Sequence, residues 1–366
     1  MKILHIIYSG LGGHGAVLFA MLDKEMLDSF DHEVLFLGVE EPKNEYIKKC
    51  NHLNIPYSYL HKGRSNIKFI KDCIHAIKLA DAESVITHSL AAVPSMVIAS
   101  FFDLFRTKNI LRDTQAHHLK SKKDWAALCC AAIFFNKIIF LTKTAKQIAL
   151  QKIPFLLKAQ TLEIINNGLD INYYRPSTSY SISDSLNPVI GMVSRLQPNK
   201  DHLTLIDAVN LLKNKFHYHQ IKLDIAGDGS TLMLLRQYSS KLKLDQNINF
   251  LGMLDEQDLR LFYEGIDLYV HATHGETMST SIMQAQAMAL PLIASDVAGV
   301  NNIIDGTNGI LYEPGNSIDL ADKLHSIICN ANLQNKLSTN SRNFAEMNYS
   351  NEIMISKYTQ IFREFK

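Results

Sequence analysis

Short apolar runs alternate with longer amphipathic stretches along the whole chain. Ile3–Tyr8, Glu33–Leu37, Ser84–Thr87, Asn109–Asp113 and Lys137–Leu141 read as strands, with helical stretches such as Ala16–Leu27 and Ser65–Leu79 between them. This alternation predicts a parallel sheet with crossover helices. A serine-rich polar stretch with two prolines, Arg175–Pro188, follows Asn166-Asn167-Gly168 and reads as a linker. The pattern then restarts. Val189–Val193, Ile221–Ala226, Ile248–Leu251, Leu268–Ala272 and Pro291–Ala294 read as a second set of strands. Two such sets predict an α/β chain of two Rossmann-like domains facing each other across a cleft. Their expected bounds are 1–170 and 189–345, with a linker over 171–188. Ligands of such sheets bind beyond the carboxyl ends of the strands.

A length of 366 residues suits two domains, and 47% apolar with 20% charged residues supplies two ordinary cores. Five cysteines without a C-x-x-C pair read as reduced thiols, so a cytosolic protein is expected. Ile3–Tyr8 follows the start at once, without the features of a signal peptide. The most apolar segment, Ala126–Leu141, is broken by Asn136 and Lys137 and reads as a buried helix and strand.

The net charge of +1 is unevenly spread: +5 over residues 1–170, −4 over the rest, and +9 within 106–158. That segment is either a solvated basic face or a surface for phosphates or anionic lipid. No nucleic-acid-binding motif accompanies it, so nucleic acid is not an expected partner.

The first strand ends in Gly10-Leu11-Gly12-Gly13-His14-Gly15, a G-x-G-x-x-G loop before a helix, and Glu40 or Glu41 follows at the distance of a ribose contact. Such glycines let the backbone turn tightly around a phosphate. An NAD(P)-dependent oxidoreductase is therefore an alternative. The loop alone is a weak signal, because many folds place glycines at the first strand–helix turn.

The second half carries more specific motifs. Ile164-Ile165-Asn166-Asn167-Gly168-Leu169-Asp170 with Tyr174-Arg175-Pro176 comes first. Gly191-Met192-Val193-Ser194-Arg195-Leu196 with Lys200 follows, then Ala226-Gly227-Asp228-Gly229 and Phe250-Leu251-Gly252. Gly275-Glu276, Gln284-Ala285, Leu290–Ala294 and Asn308-Gly309-Ile310-Leu311 complete the set. In order and spacing these resemble the donor-binding half of the retaining glycosyltransferases of family 4, which have the GT-B fold. The first half resembles that family more loosely, through its glycine loop.

The resemblance implies an acceptor-binding first domain, a nucleotide-sugar-binding second domain, and a C-terminal helix over 346–366 packing back on the first. It implies a UDP- or GDP-sugar as donor and no further cofactor. Arg195 and Lys200 follow a strand end and would meet the donor diphosphate, whose charge grows as it leaves. No D-x-D occurs in the chain, so these cations rather than a metal are expected to neutralise it. Gly12, Gly13, Gly252 and Met253 would line the nucleotide sugar. Glu276 would face the sugar, ahead of a helix beginning near Thr280. The amides of Met278, Ser279 and Thr280 at that helix start could receive the distal phosphate.

The family has a second glutamate separated from the first by seven residues; here Gln284 stands in its place. A neutral amide can still bond a ribose diol, without charge assistance. His117 or His118, after the strand Asn109–Asp113, would line the cleft and orient hydroxyls. The expected function is retaining hexosyl transfer to a glycan or lipid-linked acceptor in surface polysaccharide synthesis. It would occur at the cytoplasmic membrane, with a possible peripheral contact on anionic lipid. Gln284 leaves a non-catalytic sugar-nucleotide-binding subunit as a further alternative.

Overall fold

The computed structural model describes residues 1–10, 13–63, 65–103, 107–154, 161–177 and 187–366. The chain divides into two compact units, Met1–Gly168 with Asn351–Lys366, and Leu169–Ser350.

In the first unit the order is β1 (Lys2–Tyr8), α1 (Gly13–Met21), α2 (Lys24–Ser29), β2 (Asp31–Gly38), α3 (Asn44–His52), β3 (Tyr57–His61), α4 (Asn66–Ala80), β4 (Ser84–Thr87), α5 (Val93–Asp103), β5 (Lys108–Asp113), α6 (Lys122–Phe134), β6 (Lys137–Phe140), α7 (Lys143–Lys152) and β7 (Leu162–Ile164). The strands form one parallel sheet in the order β3-β2-β1-β4-β5-β6-β7. Central strands are buried and largely apolar because both faces are covered. Leu4, Ile6, Leu111 and Ile138 pack on one side, and Ile3, Ile7, Ile110 and Ile139 on the other.

The helix expected over Ala16–Leu27 is two helices. The Asp23 side chain accepts a hydrogen bond from Met26 N at 2.9 Å and so starts α2 afresh. Ser65 caps α4 in the same way.

The second unit holds β8 (Val189–Val193), α8 (His202–Asn214), β9 (Lys222–Ala226), α9 (Leu232–Lys241), β10 (Ile248–Gly252), α10 (Glu256–Gly265), β11 (Leu268–His271), α11 (Thr280–Ala287), β12 (Leu292–Ser295), β13 (Ile310–Tyr312), α12 (Ser317–Ile328) and α13 (Ala331–Tyr349). Its parallel sheet has the order β10-β9-β8-β11-β12-β13. The start of the expected linker is tied into this unit. Arg342 donates to the carbonyls of Ile171 and Tyr174 at 3.0 and 2.9 Å. Residues 178–186 of that linker lie outside the described residues. The last helix, α14 (Asn351–Phe365), belongs to the first unit and buries Met354, Ile355, Tyr358, Ile361 and Phe362 against β1, β2 and β6 side chains.

A buried polar chain crosses the first sheet. Arg112 Nη1 lies 3.4 Å from His88 Nδ1, and His88 Nε2 lies 3.5 Å from His5 Nδ1. His5 Nε2 lies 2.9 Å from His32 Nδ1, and His32 Nε2 lies 3.3 Å from Met26 O. A guanidinium can only donate and a carbonyl only accept. All three imidazoles are therefore neutral, each accepting at Nδ1 and donating from Nε2. A proton added to any of them would set two donors face to face. Burial holds His5 well below the ordinary histidine value, and it lowers His32 to about 4. In the second unit burial likewise lowers His202 to about 4.

The folded pKa values lie below the unfolded one of about 6.5, so the unfolded chain binds more protons under acid conditions. Stability is full above that pH and falls as pH drops toward 4. Melting temperature measured across pH 7.5 to 4 is expected to decline mainly below about 6.5. A profile that stays level from there to about 4 contradicts this reading of the buried histidines.

Candidate active site

In the second sheet the chain passes from β8 outward to β9 and β10, then returns to β11 beside β8. The loops after β8 and β11 therefore diverge in opposite directions, which opens a crevice at their carboxyl ends. Backbone bonds tie the two loops together at its floor. Asp201 N donates to Ala272 O at 3.1 Å, and His274 N to Asn199 O at 3.0 Å.

The β8 loop carries Arg195 and Lys200. Ser194 N donates to Ala226 O at 3.0 Å and Leu196 N to Asp228 O at 2.9 Å, so Arg195 stands between two fixed points. Gly227, at φ +132, makes this close fit possible; a Cβ there would lie 1.9 Å from Ser194 O. His202 closes the loop from below. Its Nδ1 donates to Lys200 O at 3.1 Å, and its Nε2 accepts from the Ser194 hydroxyl at 3.0 Å. Arg195 is exposed and forms no ion pair with any described residue.

The β11 loop carries Glu276. Its carboxylate Oε1 accepts from Lys200 Nζ, and from His271 Nε2 at 2.8 Å. Burial would raise this carboxyl, but the hydrogen bonds and charges of His271 and Lys200 outweigh it and hold it at about 2. Glu276 is thus a fixed anion at any working pH, suited to accept hydrogen bonds and unsuited to act as a general acid. Gly299 supports it from behind, its backbone packed directly on that of Glu276.

Ser279 caps α11, accepting from Ile282 N at 3.4 Å, and Thr280 is the first helical residue. Met278 and Ser279 are buried, so the helix start lies just beyond the Glu276 loop. Gly252 ends β10 at φ +74, and Met253 after it is exposed.

Gln284 lies one turn into α11 and is buried. Its Oε1 accepts from the Tyr263 hydroxyl at 3.2 Å, and the Tyr174 hydroxyl also lies against its side chain. It is thus not an exposed helix-surface glutamine.

The remaining expected residues belong to the first unit. His117 and His118 sit on a short 3-10 turn after β5, His117 half-buried and His118 exposed, their ring centroids 5.5 Å apart edge to face. Burial first, then the nearby charges of His118, Lys120 and Lys152, lower the His117 pKa. Gly13 opens α1; Gly12 lies outside the described residues.

Part of the basic segment 106–158 is internal. Arg112 is buried in the histidine chain, and Lys120 is buried in an ion pair with Asp113 at 3.0 Å. Lys137 pairs with Glu163 and Glu364 at 3.1 and 3.2 Å. Among the described residues of the segment the exposed cations are Lys122, Lys123, Lys143 and Lys152.

Sequence reasoning missed His271, His202, Tyr263 and Gly299. A polar residue ending the apolar run Leu268-Tyr269-Val270 was the visible sign of His271.

The family model for glycosyl transferases group 1 matches residues 181–344. The capsular polysaccharide biosynthesis glycosyltransferase CapM of Staphylococcus aureus is 25% identical over 57% of this chain; the match spans about half (53%) of CapM's own length. The O-antigen biosynthesis glycosyltransferase WclY of Escherichia coli is 21% identical over 94% of this chain and 97% of its own. Among solved structures, Anabaena HepE in complex with UDP-glucose superposes with a TM-score of 0.82 at 21% identity, covering 100% of both chains. The lipopolysaccharide outer core galactosyltransferase WaaB superposes at 0.77 and 18% identity, again over 100% of both. The two-domain α/β architecture of parallel sheets is that of the GT-B fold.

Proposed function

We propose, taking as premise that residues 181–344 belong to the glycosyl transferases group 1, that this chain is a retaining glycosyltransferase. It would move a hexose from a UDP- or GDP-sugar to a hydroxyl of a glycan or lipid-linked acceptor in surface polysaccharide synthesis, at the cytoplasmic face of the membrane. The observation that carries the reading is the meeting of Lys200 and Glu276 in the crevice beside the start of α11. A cation, a fixed anion and helix-start amides are the chemistry that a diphosphate joined to a sugar requires.

In this reading the donor diphosphate lies against Arg195, Lys200 and the amides of Met278 to Thr280. Lys200 keeps Glu276 while donating its further protons to the phosphates. Negative charge grows on the leaving diphosphate as the bond to the sugar breaks, and both cations then act most strongly. Glu276 accepts bonds from sugar hydroxyls. His117 or His118 orients hydroxyls of donor or acceptor. Absence of a D-x-D supports neutralisation by these cations, so turnover is expected to persist in excess EDTA.

The deciding experiment is a screen of donor hydrolysis and transfer against UDP- and GDP-sugars, with and without EDTA. Donor binding without any turnover would favour a sugar-nucleotide-binding subunit. Quenching of NADH fluorescence with no sugar-nucleotide binding would favour the oxidoreductase. Strict dependence on added Mn²⁺ would remove the metal-independent part.

Two further expectations attach to this function. Gln284→Ala weakens free nucleoside diphosphate and the intact donor by similar factors, about fivefold for one neutral hydrogen bond. Equal binding of both ligands by mutant and wild type, in calorimetric titration, would leave Gln284 as a buried partner of Tyr263 only. Lys122, Lys123 and exposed Leu119 are the proposed contact with anionic lipid. The chain is expected to sediment with anionic vesicles at low salt and release at high salt. Lys122→Glu/Lys123→Glu sedimenting as the wild type does would sink that contact.

A further inference from the structure

Both described partners of the Glu276 carboxylate bond the same oxygen. Oε1 receives Lys200 Nζ and His271 Nε2, and no described residue bonds Oε2. The terminal torsion of a glutamate is broad and nearly two-fold, so one lysine alone would let its two oxygens exchange. A second, directional donor on Oε1 removes that equivalence. Oε2 is then the oxygen left for a ligand.

His271 is built for this task. It ends β11 with its side chain 1% exposed, so it cannot itself reach a ligand in the crevice. Tyr269, two residues earlier on the same strand face, stacks on it at 25° and places its hydroxyl 3.1 Å from Nδ1. Burial lowers the His271 pKa, the hydrogen bond to Glu276 opposes that, and the Lys200 charge adds to the lowering. Nε2 faces a carboxylate oxygen, which can only accept, so its proton goes to Glu276, while Nδ1 faces the Tyr269 hydroxyl.

We propose that His271 is a positioning residue that locks Glu276 by Oε1 and so presents Oε2 to the hydroxyls of the donor sugar. This rests on the proposed glycosyl transfer. His271 acts through Glu276, so it should discriminate between ligands that do and do not contain the sugar.

The test uses two amide variants of the full chain. Gln can place an N–H where Nε2 stands, whereas Asn reaches only the place of Nδ1. Calorimetry with UDP and UDP-glucose, and with GDP and GDP-mannose where the first pair does not bind, reads the difference. His271→Asn is expected to weaken the sugar nucleotide about tenfold or more, the loss of one hydrogen bond to a charged group, and to leave the free nucleotide nearly unchanged. His271→Gln is expected to keep most of the wild-type affinity. Adding His271→Asn to Glu276→Gln is expected to change little further.

Equal weakening of UDP and UDP-glucose, or full additivity with Glu276→Gln, overturns the proposal while leaving the glycosyltransferase reading in place. A wild-type chain that binds no sugar nucleotide overturns the functional reading, and this inference with it. If His271→Asn does not fold, His271→Phe, which keeps the ring and lacks the donor, carries the same expectation and the same refutation.

Discussion

Lys200→Ala lowers kcat for sugar transfer about a hundredfold, with a smaller loss of donor affinity. Lys200 Nζ sits on the Glu276 carboxylate at the crevice between β8 and β11, on a loop held by His202 and by Asn199. The cation is thus in place before any donor arrives. In the proposed reaction its attraction for the diphosphate would grow as the sugar–phosphate bond breaks, because charge would accumulate on the leaving oxygen. Loss of a contact of that kind costs about 3 kcal/mol in the barrier.

Removal of the lysine has a second effect on its partner. Lys200 is one of the groups that hold Glu276 at about 2, so its loss moves that pKa upward and only His271 remains to oppose burial. A folded pKa moved up toward the unfolded value weakens a stabilisation that is present above the unfolded pKa and lost at low pH. Lys200→Met, which fills the space of the stem without the charge, separates packing from electrostatics. Steady-state kinetics with a saturating donor, on variants whose melting curves resemble the wild type, is the measurement. An unchanged kcat in both variants removes Lys200 from the chemistry.

Legibility in the sequence followed burial. Central strands such as β1, β4 and β8 are buried on both faces and stand out by their apolar cores, even where His5, Ser84 and Thr87 interrupt them. Three strands did not stand out: β3, β7 and β13. Each lies at or next to a sheet edge, and each is only partly buried. β3 mixes polar with apolar residues, and β7 and β13 have only three residues each, too few to show a pattern.

Partners were less visible than positions. The family resemblance implied that Lys200 and Glu276 meet one ligand, but only the fold shows them bonded to each other across the β8 and β11 loops. The basic run 106–158 read as a surface, whereas Arg112 and Lys120 face inward to His88 and Asp113. A charge count cannot see which lysine finds a buried carboxylate. The sequence marks Gln284 as a ligand residue; it is also buried against Tyr263, a neighbour 21 positions away that no local pattern marks.

Gly299→Ala disables the site from behind. Gly299 has φ +89, and a Cβ there would lie 1.9 Å from Glu276 O and 2.5 Å from its carbonyl carbon. Those atoms are backbone, so no flexible side chain can move aside. Glu276 N also donates to Ala298 O at 3.2 Å, which pins the same two segments together. Either the Glu276 loop or the turn at Gly299 must shift by about 1 Å to clear the methyl, and a misplacement of that size costs on the order of a hundredfold in rate.

Gly306→Ala is the control. Its φ is +85, nearly the same, but nothing lies within 4 Å of its would-be Cβ. It bears only the left-handed backbone cost of about 1–2 kcal/mol, with kcat unchanged. Gly299→Ala should show a larger fall in melting temperature and, unlike the control, a large fall in kcat. The difference between the two variants isolates the steric term from the conformational one. If Gly299→Ala matches Gly306→Ala in both measurements, the Glu276 loop is not held in place by the close approach of Gly299.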